Sequence, residues 1–390
     1  MAAFNGQMNS NEFYNALFNA YRLYYMYSDN LRGIDDSLAS RYRADGGMYH
    51  DQNVFTDMDV LYSRVWDPND TNVLAPEAVV APKQQKITTD KFRQIGLYTD
   101  EYLSKRAWMD PTNYDQFRAV VQKQVSETRR VFEQKLVDTF VGVIQNGGAQ
   151  DRTLELPTDA DDAEAQNRLQ AQAIAKEIGD VLVKMKDTSN LYNKNGFLKS
   201  FNSDDFDVVW NADYYNKVLY TDLPTIFHKE NLLKDGKVLD SHYFGTATLG
   251  STTAANGTTV RARREYFIPV DASGAYAAAG PNVMHVFPGD LLPNKTPINA
   301  TGVDTFTNIT ATINGRSRTV AACTSAFAYI ANTKVICKII HKEAIKYLSS
   351  FETGSEFWNP KNLTTNRYLT WAYAEPETLD GYPLITIVSA

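Results

Sequence analysis

Cysteine is nearly missing from this chain: Cys323 and Cys337 are the only two in 390 residues. Two thiols cannot build a disulfide framework or a four-thiolate zinc site. Both stand in apolar, strand-like runs, where cysteine behaves as a small buried hydrophobe. Histidine is almost as scarce, and His50, His228, His242, His285 and His341 lie too far apart to share a metal on one helix face. His341 closes an apolar run and reads as a structural residue. The sequence has no Gly-rich phosphate loop followed by Lys, no dinucleotide fingerprint, and no Ser or Cys in a nucleophile elbow. Two acidic pairs, Asp57-x-Asp59 and Asp205-x-Asp207, offer oxygen ligands of the kind magnesium or calcium takes. Each sits beside a strand start, where acidic residues commonly mark turns, so neither is read as a metal site. These absences predict no enzyme, and no catalytic, cofactor-binding or metal-ligating residue is assigned.

Basic charge is in short supply too. Against 46 Asp and Glu stand 39 Lys and Arg, a net charge of -7. An acidic chain does not read as a tight or sequence-specific nucleic-acid binder, which needs a basic face to release counterions. The triplet Arg261, Arg263 and Arg264 reads as a solvated edge. No apolar run approaches the ~18 residues of a transmembrane helix, so no membrane partner is expected. The opening residues 1–7 show no cationic region leading into an apolar one; a secretory signal is not expected, and synthesis in a cytoplasm is.

What the chain does have is an ordinary globular share of hydrophobic residues, 43%, and many aromatics, with 23 Tyr and 19 Phe. Tyrosine serves both as core filler and as interface anchor because its hydroxyl tolerates a wet edge. Residues 10–31 predict a first helix, capped by Ser10, with Phe13, Leu17 and Tyr21 at helical spacing. This opening segment has too little apolar surface for a core of its own and reads as an arm. Residues 58–98 predict an extended hairpin, with one strand over Val60–Trp66 and a returning strand from Lys86 to Tyr98. Its tip contains Pro68, Pro76 and Pro82, which cannot propagate a ladder. Yet the tip region carries Val73, Leu74, Val79 and Val80, apolar residues a solvated loop does not need. Together with Lys83 and Lys86 they are the candidate subunit-interface residues.

The clearest periodicity lies downstream. Pro111 suits the first position of a helix, and Phe117, Val121, Val125, Phe132, Leu136, Phe140 and Ile144 form an apolar stripe in steps of four or seven, widened by Val120, Val131, Val137 and Val141. The charged residues Arg118, Lys123, Glu127, Arg129, Arg130, Glu133 and Lys135 are assigned mostly to the other face. A helix of about 34 residues is about 50 Å long, a spine rather than an ordinary helix. A second helix is predicted over 163–187, with Leu169, Ile174, Ile178, Val181, Leu182 and Met185 inward. Phe206–Asn211 predicts a buried strand leading into a helix, an α/β layer. Residues 245–332 read as short strands and loops, including 262–270 and 283–287. Strands are predicted again at 334–341, 367–374 and 384–388, with a short helix over 342–349.

The order of these elements resembles the Hong Kong 97 capsid fold of tailed bacteriophages: arm, projecting hairpin, spine helix, central α/β region, returning strands. The run Phe206 to Tyr215 looks like the axial-domain strand and helix of such proteins. Residues 355–373, from Ser355-Glu356-Phe357-Trp358 to Trp371-Ala372-Tyr373, look like the late peripheral-domain return. The resemblance implies an α+β HK97-like capsid fold. In it, 1–57 is the N-terminal arm, 58–98 the extended hairpin loop, and 99–150 the peripheral domain with the spine helix. An axial domain with a possible insertion then takes 151–332, and peripheral return strands take 333–390. It further implies a structural major capsid protein of the virion, partnered by itself in pentamers and hexamers, by a separate scaffolding protein and by a portal protein. Double-stranded DNA would be held by confinement. The alternatives are an encapsulin-type compartment shell, or another virion component such as a portal or tail protein.

Overall fold

The computed structural model describes residues 37–48, 51–61, 63, 66–67, 69, 79–100, 111–144, 151–158, 162–219, 236–247, 260–261, 266–272, 280–286, 291–292, 306–313, 316–323, 329–331 and 334–390. The predicted helix over 10–31 lies outside them. In chain order the elements begin with α1 (Leu38–Tyr42), β1 (Arg43–Asp45), β2 (Gln52–Asp57), β3 (Lys83–Thr88) and β4 (Lys91–Asp100). Next come α2 (Pro111–Val143), β5 (Arg152–Leu154), α3 (Ala163–Lys186), β6 (Phe206–Asn211), α4 (Ala212–Leu219) and β7 (Lys237–Leu239). Short strands follow: β8 (Gly245–Ala247), β9 (Val260–Arg261), β10 (Tyr266–Val270), β11 (Asn282–Val286), β12 (Leu291–Leu292), β13 (Phe306–Ile313), β14 (Arg316–Cys323) and β15 (Tyr329–Ala331). The chain closes on β16 (Val335–His341), β17 (Ile345–Asn359), β18 (Thr364–Tyr373), β19 (Glu377–Thr378) and β20 (Leu384–Ser389).

The chain divides into two compact units, each built from distant segments. The first comprises residues 1–52, 88–134 and 348–375. Its sheet has the order β1-β17-β18-β4. Strands β17 and β18 form a long antiparallel hairpin whose register shifts between Ser350 and Glu352, and β4 pairs with β18 along its whole length, from Thr364↔Asp100 to Tyr373↔Lys91. Alternation along β4 is regular, with Phe92, Gln94, Gly96 and Tyr98 exposed and the residues between them half-buried. Such a two-faced strand covers a core with one side only. That core is aromatic: Phe132 of α2 packs edge-on to Tyr373 at 5.5 Å and tilted against Trp371 at 6.3 Å, under the Arg93 guanidinium 3.8 Å from the Phe132 ring centre.

The second unit comprises residues 53–87, 135–347 and 376–390. Its main sheet has the order β5-β20-β16-β6-β7. β16 is antiparallel to both neighbours, while the outer pairs β20/β5 and β6/β7 are parallel. β16 and β6 are buried at every position, which explains their near-continuous apolar sequence. α3 covers this sheet. Asp162 caps its start by accepting from the Glu164 N–H at 2.9 Å, and Lys184 and Lys186 stand in its last turn. Its buried face is Ala171, Ile174, Ile178, Val181 and Met185, packed with Phe206, Val208, Trp210, Ile339 and Ile385. Leu169, predicted inward, is exposed: at 100° per residue it lies on the side of the helix away from Ile174, Ile178 and Met185. A second sheet, β11-β10-β14-β13, and the pairs β12-β9, β15-β8 and β2-β3 complete the unit.

Three local predictions are corrected. Residues 58–61, 63 and 66 are not in a strand; the ladder partner of β3 is β2, which ends at Asp57, before the predicted run begins, and a β-forming run without a partner stays unpaired. The single returning strand over 86–98 is two strands in different sheets, β3 with β2 and β4 with β18, broken at Thr89-Asp90. The short helix over 342–349 is a turn followed by β17, because Ile345, Tyr347 and Leu348 enter buried sheet positions and tertiary pairing overrides local propensity. The acidic segment after residue 149 also holds a strand, β5, taken up as a sheet edge by β20.

Candidate functional site

Among the described residues no group of three or more His, Cys, Asp or Glu side chains could hold a metal ion, and the fold leaves several large apolar side chains uncovered. In the second unit the ribbon β2–β3 and the segment between its strands carry the largest set. Trp66 is 76% exposed and Val79 67%, with Val54, Met58, Val60 and Leu61 also exposed. Among the predicted interface residues, Val79 is exposed, Val80 half-buried, and Lys83 and Lys86 exposed; Val73 and Leu74 lie outside the described residues. In the first unit Phe357 (59% exposed), Trp358 (52%) and Leu363 stand uncovered at the turn of the β17–β18 hairpin, and Met48, Phe92 and Tyr98 are exposed elsewhere in it. Leu363 has a φ of 51°, a left-handed conformation that a branched apolar residue adopts only under constraint. Sequence reasoning quoted this stretch for its family likeness but did not mark it as a contact surface.

The ribbon is held by polar ties. Asp57 accepts from the Lys199 ammonium at 2.6 Å and the Asn195 amide at 2.5 Å, and Asp59 accepts from the Leu198 N–H at 2.9 Å. Lys83 donates to the Asn195 carbonyl at 2.8 Å, and Gln85 donates to the Thr378 carbonyl while accepting from the Asp380 N–H. Asp57 and Asp59 are therefore hydrogen-bond acceptors within the protein, Asp57 at the end of β2 rather than beside the start of a strand. Asp207, from the other acidic pair, is buried in β6.

The spine helix places its predicted stripe unevenly. Phe132 is buried, while Val125, Leu136, Phe140 and Ile144 are half-buried; Phe117 and Val121 fall within the helix, and their side chains are outside the description. The most deeply buried apolar residues of its second half are Val137 and Val141, one step further round. Glu127, Arg129 and Glu133, assigned to the other face, are buried. Arg129 Nε donates to Glu133 at 3.0 Å, its Nη2 to the Ser349 hydroxyl at 3.0 Å, and its Nη1 to Glu352. Desolvation works to lower the Arg129 pKa, but the Glu133 charge and the hydrogen bonds to Glu352 and Glu133 outweigh it, and the pKa is raised. An i,i+4 Arg–Glu pair on the helix was the available signal, and it equally fits a surface pair.

At the other end of α2, Lys338 of β16 is fully buried and donates to the carbonyls of Val141 (2.9 Å), Gly142 (2.9 Å) and Ile144 (2.5 Å). These are acceptors a helix end leaves unpaired. Burial pulls the Lys338 ammonium down to about 7, opposed by the charge of Asp151. Gly142 is required here, since a Cβ would stand 2.0 Å from the Tyr243 carbonyl oxygen. His341 is buried among aromatic rings, stacked on Tyr382 at 4.7 Å, with its Nδ1 accepting from the Glu343 N–H. Burial lowers its pKa, opposed chiefly by Asp205 and Glu343. The Cys337 thiol is likewise pushed up by burial.

No protein-family model and no curated protein matches the sequence. Solved structures do. A chain in the capsid structure of Staphylococcus phage Andhra superposes with a TM-score of 0.57 at 9% identity, over 90% of this chain and 83% of that one. A chain in the structure of head fiber and inner core protein gp22 of native bacteriophage P68 superposes with a TM-score of 0.52 at 10% identity, over 89% and 82%. At such identity the likeness is one of fold. The chain has the α+β fold of the Hong Kong 97 type found in tailed-phage capsids.

Proposed function

We propose that this chain is the major capsid protein of a tailed bacteriophage, a structural and non-enzymatic subunit that assembles with its own copies into the icosahedral shell around double-stranded DNA. The observation that carries this reading is the likeness over 90% of the chain to a chain in the phage Andhra capsid structure. The uncovered apolar side chains of the ribbon segment and of the β17–β18 turn support it, because surface of this kind calls for a partner. Subunits placed in both five-fold and six-fold rings meet through heterologous contacts. Individually modest contacts then hold because every subunit touches several neighbours at once. In this reading residues 1–57 are an arm, 58–98 the projecting loop, and 99–150 with 333–390 a peripheral domain around the spine helix. Residues 151–332 form an axial domain. A separate scaffolding protein and a portal are its assembly partners. The DNA is confined rather than gripped, in keeping with the net charge of -7.

The test is replacement of residues 69–84 by a short Gly-Ser turn. The expected result is a folded subunit by circular dichroism that no longer forms closed particles by electron microscopy and sedimentation. Normal shells from this variant would contradict the role given to the ribbon segment.

A further inference from the structure

The ribbon has an unusual attachment. Among the described residues β2 and β3 pair only with each other, so no ladder joins them to the other sheets of their unit. A two-stranded ribbon by itself is marginally stable and has no fixed direction. Direction must come from side chains: Ile87 is buried and Gln85 bonds Thr378 and Asp380 along β3, and a further group of ties converges where the strands give way to residue 58 on one side and residue 82 on the other. There Asp57 bridges Lys199 and Asn195, Asp59 holds the Leu198 N–H, and Lys83, from the opposite strand, holds the Asn195 carbonyl. The receiving turn is rigid in its own right. Asn193 bonds both the N–H and the carbonyl of Phe197, at 2.9 and 2.7 Å, and Ser189 and Lys199 exchange backbone hydrogen bonds. Lys199 also donates to the Gly381 carbonyl at 2.9 Å, and a Cβ at Gly381 would stand 2.6 Å from Asp57 Oδ2, so the two turns close on the carboxylate from both sides.

We propose that Asp57, Asp59, Lys83 and Lys199 form a clamp that aims residues 58–61, so that the exposed side chains of Met58, Val60 and Leu61 meet a second copy of the chain in one fixed orientation. The proposal rests on the capsid reading for its partner, but the clamp itself is a property of the single subunit. Its members are positioning residues. They act at charged hydrogen bonds that are only partly buried, so breaking them frees the segment while the buried sheet β16/β6 and helix α3 stay intact.

The experiment measures a distance distribution by paired spin labels at Leu61→Cys on the segment and Val183→Cys on α3. Both positions are exposed, and a Cys323→Ser background is used because Cys337 is buried. The intact clamp gives one narrow distribution. Asp57→Ala with Asp59→Ala broadens it at least about twofold with little change in thermal midpoint, and Lys83→Met alone broadens it in the same sense should the double variant not fold. The exchange Asp57→Lys with Lys199→Asp narrows it again, since the Asn195 amide can turn its oxygen to the new ammonium. An unchanged width in both the double variant and Lys83→Met overturns the clamp. Broadening with normal shells by electron microscopy overturns its link to assembly. A wild-type chain that never forms shells would count against the capsid reading instead, with the width still deciding the clamp.

Discussion

Lys338 shows what one charge can do in a strand that is otherwise apolar. Its three ammonium protons meet three carbonyl oxygens at the end of α2, and the negative end of the helix dipole favours the charged form. Loss of water acts the other way, and the balance lies at about 7 against an ordinary 10.5. The folded pKa is depressed, so between about pH 7 and 10.5 the unfolded chain keeps a proton that the folded chain releases. Stability contributed by this residue is therefore fully present above the upper limit and is lost as pH falls through the lower one. Lys338→Met should lower stability by about 1–3 kcal/mol through the carbonyls left unpaired. The gap to wild type should widen as pH rises from 7 to 10, read from denaturant midpoints at each pH. A gap that narrows over that range would reverse the assignment. In sequence Lys338 is visible as a lone cation within Val335-Ile336-Cys337-Lys338-Ile339-Ile340, yet its acceptors lie almost two hundred residues away, and nothing local points to them.

The elements were legible wherever pattern and packing agree. β6, β16 and β20 are short apolar runs, and such runs are buried strands in either reading; α3 announces itself by its cap and its inward face. Disagreement came where a partner decides. Val60–Trp66 contains good β-formers, but β3 chose Gln52–Asp57, whose alternation places Phe55 inward and Val54 outward. The spine was readable in length and type, and its face in part: the widened stripe included Val137 and Val141 but could not rank them, because a 100° step per residue makes stripes through Leu136 and Val137 almost equally apolar. Only the position of the sheet and its neighbours selects Val137 and Val141. Burial of Arg129 and Glu133 was hidden for the same reason, since Glu352 and Ser349 meet them from β17. The consequence is a ranking. Val137→Asp should cost about 3–5 kcal/mol as an unpaired carboxylate in a closed site, and Leu136→Asp less by at least about 2 kcal/mol, because its side chain reaches solvent. Equal losses in thermal or urea unfolding would contradict this ranking.

For the whole molecule, the two units are each assembled from segments far apart in sequence, which is why linear domain boundaries could be drawn only by analogy with a known order of elements. That order was the sequence's most informative property, more so than any single motif, and the fold likeness to chains in the phage Andhra and P68 structures follows it across about nine-tenths of the chain. Surfaces left uncovered at the ribbon segment and at Phe357 and Trp358 give the fold its proposed use. Negative-stain electron microscopy of the purified protein over a range of concentrations, paired with sedimentation velocity, tests this most directly. The account predicts curved lattices or closed shells built of five- and six-membered rings. A protein that remains a monomer, or stops at a discrete dimer or tetramer without rings at every concentration, would contradict it.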